Sequence, residues 1–539
     1  MEEEIRRILK GEVLTDEASQ IAYSRDASFF EIKPKIIVYP KDSEDIKNLV
    51  KWVAENKSKY PDLSITARAA GTDMSGGPLN DSIILDLTKH MNKLISFDPE
   101  KREITVEPGM YYRDFEKITT SKNLMLPSYP ASKSICAIGG MVGNNAGGEK
   151  SLRYGKTEEY IERLKIVLAD GNEYEIKNLT EEELQKKIAL NNFEGNLYKN
   201  IRDLIQSNQE TINKAKPKVS KNSSGYYIWN VWQEKTFNLN KLIVGSQGSL
   251  GVVTEVTFKL VPIKKYSKLL VIFLKDLNYL ASLVNVLLKT GPESLESYDD
   301  KTLFIVLRYF GGFIKLLGSK NIFLLLLQFW PEFKMIISQG FPKLVILAEF
   351  TGDDSEFVFR QVKEAEAAAR SLPVQTYLVK NEKEKEKYWT IRREAFNLIR
   401  FHLKKKKSIP FIDDLIVKPE KLPEFLPKLY KILSQYKKDV DYALGGHVGD
   451  GNFHIYTLMD PTNPKLLEIV SQLSQKVYDL VISLGGSITA EHNDGLIRTP
   501  YLEKMFGSKV VNLFKEIKNI FDPKNLFNPG KKVGNLTKS

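Results

Sequence analysis

Apolar residues in this chain gather first into short runs, not long stripes. The run IIVY at Ile36–Tyr39 has the length of a buried strand, and "DSEDIKNLVKWV" after it repeats at helical spacing, with Ser43 as the expected N-cap. The alternation recurs. A strand is predicted at Ser64–Arg68, then a glycine-rich turn, then a strand at Ser82–Asp86. "REITVEPGMYYRDFEKI" reads as strand, Pro-Gly turn and helix, and "ERLKIVLADGNEYEI" as a hairpin with Asp170-Gly171 at its tip. Lys241–Pro262 is a turn running into a β-branched strand. After Pro262 strands and helices alternate to about residue 435, and a helix covers about residues 465–484. The expected fold class is α+β. Residues 1–30 read as a helix and a turn, and the domain boundary falls near residue 263, with a second domain over 264–532.

Composition narrows this picture. A chain of 539 residues exceeds what one hydrophobic core usually supports, so two domains are expected. A single cysteine, Cys136, rules out an internal disulfide and a cysteine-ligated iron–sulfur cluster or zinc ribbon. It reads as a small packing residue. The start of the chain lacks a basic n-region and an apolar h-region, so the expected location is the cytoplasm. The net charge of +11 comes without a zinc-finger, basic-zipper or RNA-recognition signature, and no nucleic-acid partner is expected. From Phe304 to Trp330 the chain is strongly apolar, but Arg308, Lys315 and Lys320 interrupt it below the roughly 18–20 residues of a membrane span. The region 304–342 reads either as a buried helical pair or as a surface lying on the inner face of an anionic membrane.

Three glycine-rich stretches stand beside strands: "AAGTDMSGG" (69–77), "AIGGMVGNNAGGEKSLRYG" (137–155) and "GSQGSLGVVTEV" (245–256). None carries the dinucleotide fingerprint or the lysine and hydroxyl of a P-loop. Together they suit one extended pyrophosphate-bearing ligand held by several loops. The second half holds "GGHVGDGNFHIYTL" (445–458) and "TAEHNDG" (489–495), with three of the chain's five histidines. His447 and His454 flank a glycine turn between two strand-like segments. By residue pattern alone this is a metal site, a phosphate-binding turn, or a hairpin with buried histidines. His90 and His402 sit in plain helical contexts.

"PKIIVYP", "ARAAGTDMSGG", "AIGGMVGNNAGGEKSLRYG", "NSSGY" (222–226) and "GSQGSLGVVTEVTFKL" occur in this order, and the chain resembles the FAD-linked oxidases with a vanillyl-alcohol-oxidase/p-cresol-methylhydroxylase (PCMH-type) FAD domain. The likeness extends to the flavin subunit of glycolate oxidase, D-lactate dehydrogenase and D-2-hydroxyglutarate dehydrogenase, over about residues 20–532. It implies a two-subdomain FAD-binding domain over 31–263, followed by a C-terminal antiparallel-sheet substrate (cap) domain with flanking helices. Ala70, Gly71, Thr72, Asp73, Met74 and Ser75 match the first FAD loop. Gly139, Gly140, Gly143, Asn144 and Gly148 match the second, and Val253 the position beside the flavin or adenine edge. The first loop has no histidine, so the resemblance implies non-covalent FAD.

The resemblance further implies a divalent metal, often zinc, on His447, His454 and Glu491, with His492 facing substrate and flavin as general base. Arg392 in "YWTIRREAF" matches an arginine that pairs with the substrate carboxylate; its bland alternative is a solvated helix arginine. The implied reaction takes a D-2-hydroxy acid to the 2-keto acid, with hydride passing to the flavin and electrons to a quinone or protein acceptor. Rival readings are an alkyl-dihydroxyacetonephosphate synthase-like flavoenzyme and a membrane-bound electron-relay subunit. The sequence leaves the oligomer open, with a dimer as one expectation. Two departures stand out. Members commonly continue Glu-His-Gly where this chain has Asn493, a residue that tolerates positive φ. Ile412 and Tyr456 align with a lysine and an asparagine that hold the distal carboxylate of 2-hydroxyglutarate, which points to a smaller or more apolar hydroxy acid, with Tyr456 as a substrate contact.

Overall fold

The computed structural model describes residues 1–233, 235–308, 340–402 and 405–534. Among them, three main sheets set the architecture. The first has the strand order Glu12–Leu14, Ile36–Tyr39, Ile83–Asp86, Ile65–Arg68. The last three run parallel and the first pairs antiparallel. The second sheet is antiparallel and seven-stranded, centred on Ile161–Val167 and Val252–Lys259. The third is antiparallel and eight-stranded, built around Tyr266–Leu274, Leu344–Gly352, Ser294–Asp299, Asp441–His447 and Asn452–Met459. This is the expected α+β arrangement of a two-subdomain half followed by an antiparallel cap.

The short apolar runs are explained by burial on both faces. In Tyr266–Leu274, Leu270, Ile272 and Leu274 enter one core while Leu269, Val271 and Phe273 enter another. A strand covered on both sides needs no polar alternation. The predicted strands at 36–39, 64–68 and 82–86 form within one residue, as does the hairpin at Asp170-Gly171, where Gly171 takes φ +72°.

Several details depart from the sequence reading. Asp42, not Ser43, caps helix Ser43–Asn56, its carboxylate accepting the Asp45 amide; a charged oxygen one residue earlier reaches the free N–H groups better. His90 lies in a turn, not a helix, with Nε2 2.9 Å from Glu12. The N-terminal segment is not separate: Glu12–Leu14 extends the first sheet, and Ile5, Leu9 and Val13 enter its core. The end of the 264–532 segment also packs on the first half. Helix Ser508–Phe521 turns back and buries Phe514, Ile517 and Phe521 in the core of the first half, because its apolar face finds an uncovered one there. Most of the apolar stretch 304–342 lies outside the described residues, as does the side chain of His402. No helix among the described residues is long and apolar enough to cross a membrane.

Candidate active site between the glycine loops and the cap sheet

The two halves enclose a cavity of about 620 Å³. Ala70–Met74, Gly139, Gly140, Gly143, Asn144, Gly148 and Val253 line it from the first half. Arg392, His447, His454, Tyr456, Glu491 and His492 line it from the second. Thus nearly all the expected site residues meet in one place. Ser75 instead sits behind its loop, donating its backbone N–H and hydroxyl to Asp73. Ile412 is fully buried and does not line the cavity.

The first-half wall suits a long ligand with phosphates. Asp73 accepts from the Ser75 and Gly77 amides on one oxygen and from the Asn144 amide nitrogen on the other. Its carboxylate ties the two glycine loops together. A Cβ added to Gly140 or Gly143 would meet no protein atom nearer than 3.7 or 3.9 Å. Packing therefore does not require glycine at either position, whereas close approach of a ligand to the backbone does. Cys136 is buried beside this wall, and burial pushes its thiol up to about 12, which leaves it unreactive.

His447 and His454 come from one hairpin. Strands Asp441–His447 and Asn452–Met459 pair with Gly445 opposite His454, and the Val448–Gly451 turn closes them. Gly451, at φ +75°, could not carry a side chain, since a Cβ would lie 1.9 Å from the Val417 carbonyl. The pairing sets the His447 and His454 rings 5.2 Å apart, and His492 stacks 5.0 Å from His454. Asn493 takes φ +69°, so the turn survives without glycine; its amide nitrogen donates to the Gly245 carbonyl of the first half.

Each imidazole has its tautomer set from behind. His454 Nδ1 donates to the Asp413 carbonyl at 3.1 Å, which leaves Nε2 a lone pair. Burial, then His492 and His447, push His454 down to about 3, so it is neutral. His447 Nδ1 donates to Glu296 at 2.5 Å, and its Nε2 lies 3.3 Å from Glu491. Burial would lower His447, but Glu296 and Glu491 outweigh it and raise it to about 9. Ligand atoms of His447, His454 and Glu491 all lie within 4.8 Å of one another, and all three side chains are buried. Two imidazoles and a carboxylate, each imidazole oriented by an acceptor behind it, form a donor set that fits a divalent metal such as zinc.

Three acidic residues missing from the sequence reading organise this cluster. Asp413 bonds His492 Nδ1 at 2.5 Å with one oxygen and Arg498 with the other. Asp414 places one oxygen among the Thr489 hydroxyl and the amides of Ala490, Glu491 and His492, clamping the turn that carries two site residues. Its other oxygen accepts from the Asn452 amide nitrogen at 3.0 Å, and a ligand atom of Asp414 also lies within 4.8 Å of His454 and His492. Glu296 joins His447 to Arg392, whose Nε lies 3.1 Å from it. Arg392 is 9% exposed, so the solvated-arginine alternative fails, and Tyr456 interacts with it from the neighbouring strand.

Comparison with known proteins places the chain. Residues 263–532 match the FAD linked oxidases, C-terminal domain, and residues 34–177 an FAD binding domain; the chain belongs to the FAD linked oxidases. It is 27% identical over 97% of its length to a D-2-hydroxyglutarate dehydrogenase of Haemophilus influenzae, but covers 50% of that protein. The chain thus spans about half the length of the first curated relatives it matches. It is 28% identical to glycolate oxidase subunit GlcD of Bacillus subtilis, over 95% of this chain and 92% of the relative. D-lactate dehydrogenase of Archaeoglobus fulgidus is 25% identical, over 97% and 95%. Among solved structures, p-cresol methylhydroxylase shares the fold at a TM-score of 0.67, with 17% identity, over 100% of this chain and 97% of the other. Alkyldihydroxyacetonephosphate synthase does so at 0.65, with 14% identity, over 96% and 82%.

Proposed function

We propose that the protein is a dehydrogenase that oxidises a small D-2-hydroxy acid to its 2-keto acid, using non-covalent FAD and a divalent metal. The observation that carries this reading is the convergence of His447, His454, Glu491 and His492 on the cavity that the glycine loops also line. Gly140 and Gly143 would let the FAD approach the backbone, and His447, His454 and Glu491 would hold the metal. When bound, FAD supplies a two-electron acceptor and the dication a Lewis acid.

The chain's own residues carry the rest. Arg392, aimed by Glu296, pairs with the substrate carboxylate. His492 takes the hydroxyl proton on Nε2, since Nδ1 is committed to Asp413. Burial disfavours the imidazolium, but Asp414 and Asp413 more than offset this and raise His492 to about 9 in the metal-free site, so the free ring is protonated at neutral pH; a dication on the neighbouring triad would lower it and free Nε2 to accept. Tyr456 next to Arg392 gives the site a phenolic hydroxyl, and with Ile412 outside the cavity a substrate with one carboxylate is favoured. The acceptor that reoxidises the flavin would be a quinone or an electron-transfer protein. The paired histidines favour this reading over alkyl-dihydroxyacetonephosphate synthesis, which has no use for a metal-binding triad. The test is anaerobic titration of the FAD- and zinc-loaded protein with D- and L-2-hydroxy acids. D-lactate or D-glycerate should bleach the visible flavin absorbance, and a flavin that no hydroxy acid reduces would overturn the proposal.

A further inference from the structure

The motif "KNSSGY" (221–226) runs through the protein behind the metal-ligand cluster: Tyr226 at its end meets Ser249 of the third glycine-rich stretch, while Lys221 at its start reaches the cluster. Lys221 is among the most buried cations of the chain, its side chain 2% exposed. Its Nζ lies 2.5 Å from Oε1 of Glu491 and 3.1 Å from Asp450. Asp450 is the aspartate of the glycine turn between the two histidine strands, and its second oxygen accepts from Ser220 at 2.6 Å. The lysine is held in register by a zipper. Ser223 donates its amide to the Thr489 carbonyl and its hydroxyl to the Ala490 carbonyl. A second buried lysine, Lys156, donates to the carbonyls of Asn222 and Ala490 and to the Ser223 hydroxyl.

The two oxygens of Glu491 are thereby made unequal. Oε1 belongs to Lys221, while Oε2 faces His447 Nε2 at 3.3 Å. We infer that Lys221 is a positioning residue that ties back one oxygen of Glu491, so that this carboxylate offers a single donor atom alongside His447 and His454. The consequence is a three-atom ligand set. A free glutamate can grip a dication with both oxygens and take up a coordination position. A tethered one leaves that position to an incoming hydroxyl and carboxylate. The inference rests on the metal reading of the proposed function and adds to it the residue that keeps the site open.

The test uses the full FAD-bound chain, stripped of metal and reloaded with Co²⁺, whose visible absorption reports coordination number and geometry. The probe is 2-hydroxy-2-methylpropanoate, which can chelate like a 2-hydroxy acid but has no hydrogen on C2 to give up. In Lys221→Met the cobalt spectrum should change before any ligand is added. Cobalt content should stay the same, and the probe should bind about tenfold or more weakly. Lys221→Gln, which loses the charge and shortens the reach, should change in the same direction, and it decides the matter if the methionine variant loses its FAD. Asp450→Asn leaves the Lys221–Glu491 contact intact and should keep the parent response. Spectra and probe affinity equal to the parent in both Lys221 variants would overturn the assignment, as would an Asp450→Asn variant as weak as Lys221→Met. A parent protein that takes up no cobalt would instead sink the metal reading itself.

Discussion

His492 Nδ1 stands 2.5 Å from the Asp413 carboxylate, and the other oxygen of Asp413 is held by Arg498. Burial alone would raise this carboxyl, but Arg498 and His492 keep it well below the ordinary carboxylate range. Asp413 is thus a fixed charge that orients the ring and stabilises its protonated form. His492→Ala should slow flavin reduction by about 10²–10⁴-fold. Asp413→Asn should slow it less, because the ring remains but its orientation and charge support are weakened. FAD and metal content should be unchanged in His492→Ala. Stopped-flow anaerobic reduction measures both rates, and a His492→Ala enzyme as fast as the parent would remove this residue from the chemistry.

Glu296 is shared by two tasks, because it accepts from His447 Nδ1 and pairs with Arg392. Glu296→Gln keeps the shape but removes the charge that both partners face. Metal affinity should fall by about 10–100-fold, as is usual when the acceptor behind a ligating histidine is lost. Substrate KM should rise in the same variant even at saturating metal, since Arg392 loses its anchor. Metal titration and saturation kinetics separate the two effects. If KM returns to the parent value once metal saturates, Glu296 acts on the histidine alone.

How much of this was legible in the sequence varies with distance along the chain. The hairpin carrying His447 and His454 follows from a local pattern of two apolar strands around glycine, and the strand register does the rest. The glycine loops were legible for the same reason. Asp413, Asp414 and Glu296 were not, because they meet their histidines across 79, 78 and 151 positions of sequence. One signal was available. "IPFIDDLIV" sets two adjacent aspartates inside an apolar run, and buried carboxylates occur where they have partners. The return of helix Ser508–Phe521 to the first half was hidden because an amphipathic stripe announces burial but not against what.

Asp26 gives the pH dependence of stability a definite sign. It lies behind the first glycine-rich loop, and burial, then the Asp73 carboxylate, push it up to about 7 against an ordinary value of 3.8. An acid whose folded value exceeds its unfolded one adds stability below the unfolded value and loses it as pH rises through the folded one. The FAD-free protein should therefore lose stability from this group between about pH 4 and 7. Asp26→Asn keeps the oxygen that accepts from Ser28 and cannot ionise. Its Tm should fall less than the parent's between pH 5 and 8, and it should be the more stable of the two above pH 7. Parallel Tm profiles for the two proteins would show that Asp26 is not the titrating group.

Gly143 separates folding from cofactor binding. It lies inside helix Ile138–Asn144, where glycine costs up to about 1 kcal/mol relative to alanine. A methyl group there meets no protein atom nearer than 3.9 Å, so the protein itself would gain from alanine. The residue lines the cavity, where close approach of a ligand to the backbone would account for the glycine. Gly143→Ala should raise the Tm of the FAD-free protein yet weaken its affinity for FAD, and Gly143→Leu should abolish FAD binding with the fold intact. Thermal melts of the apo-protein and fluorescence titration with free FAD read the two effects apart. Unimpaired FAD binding by the leucine variant would mean that this loop does not touch the cofactor.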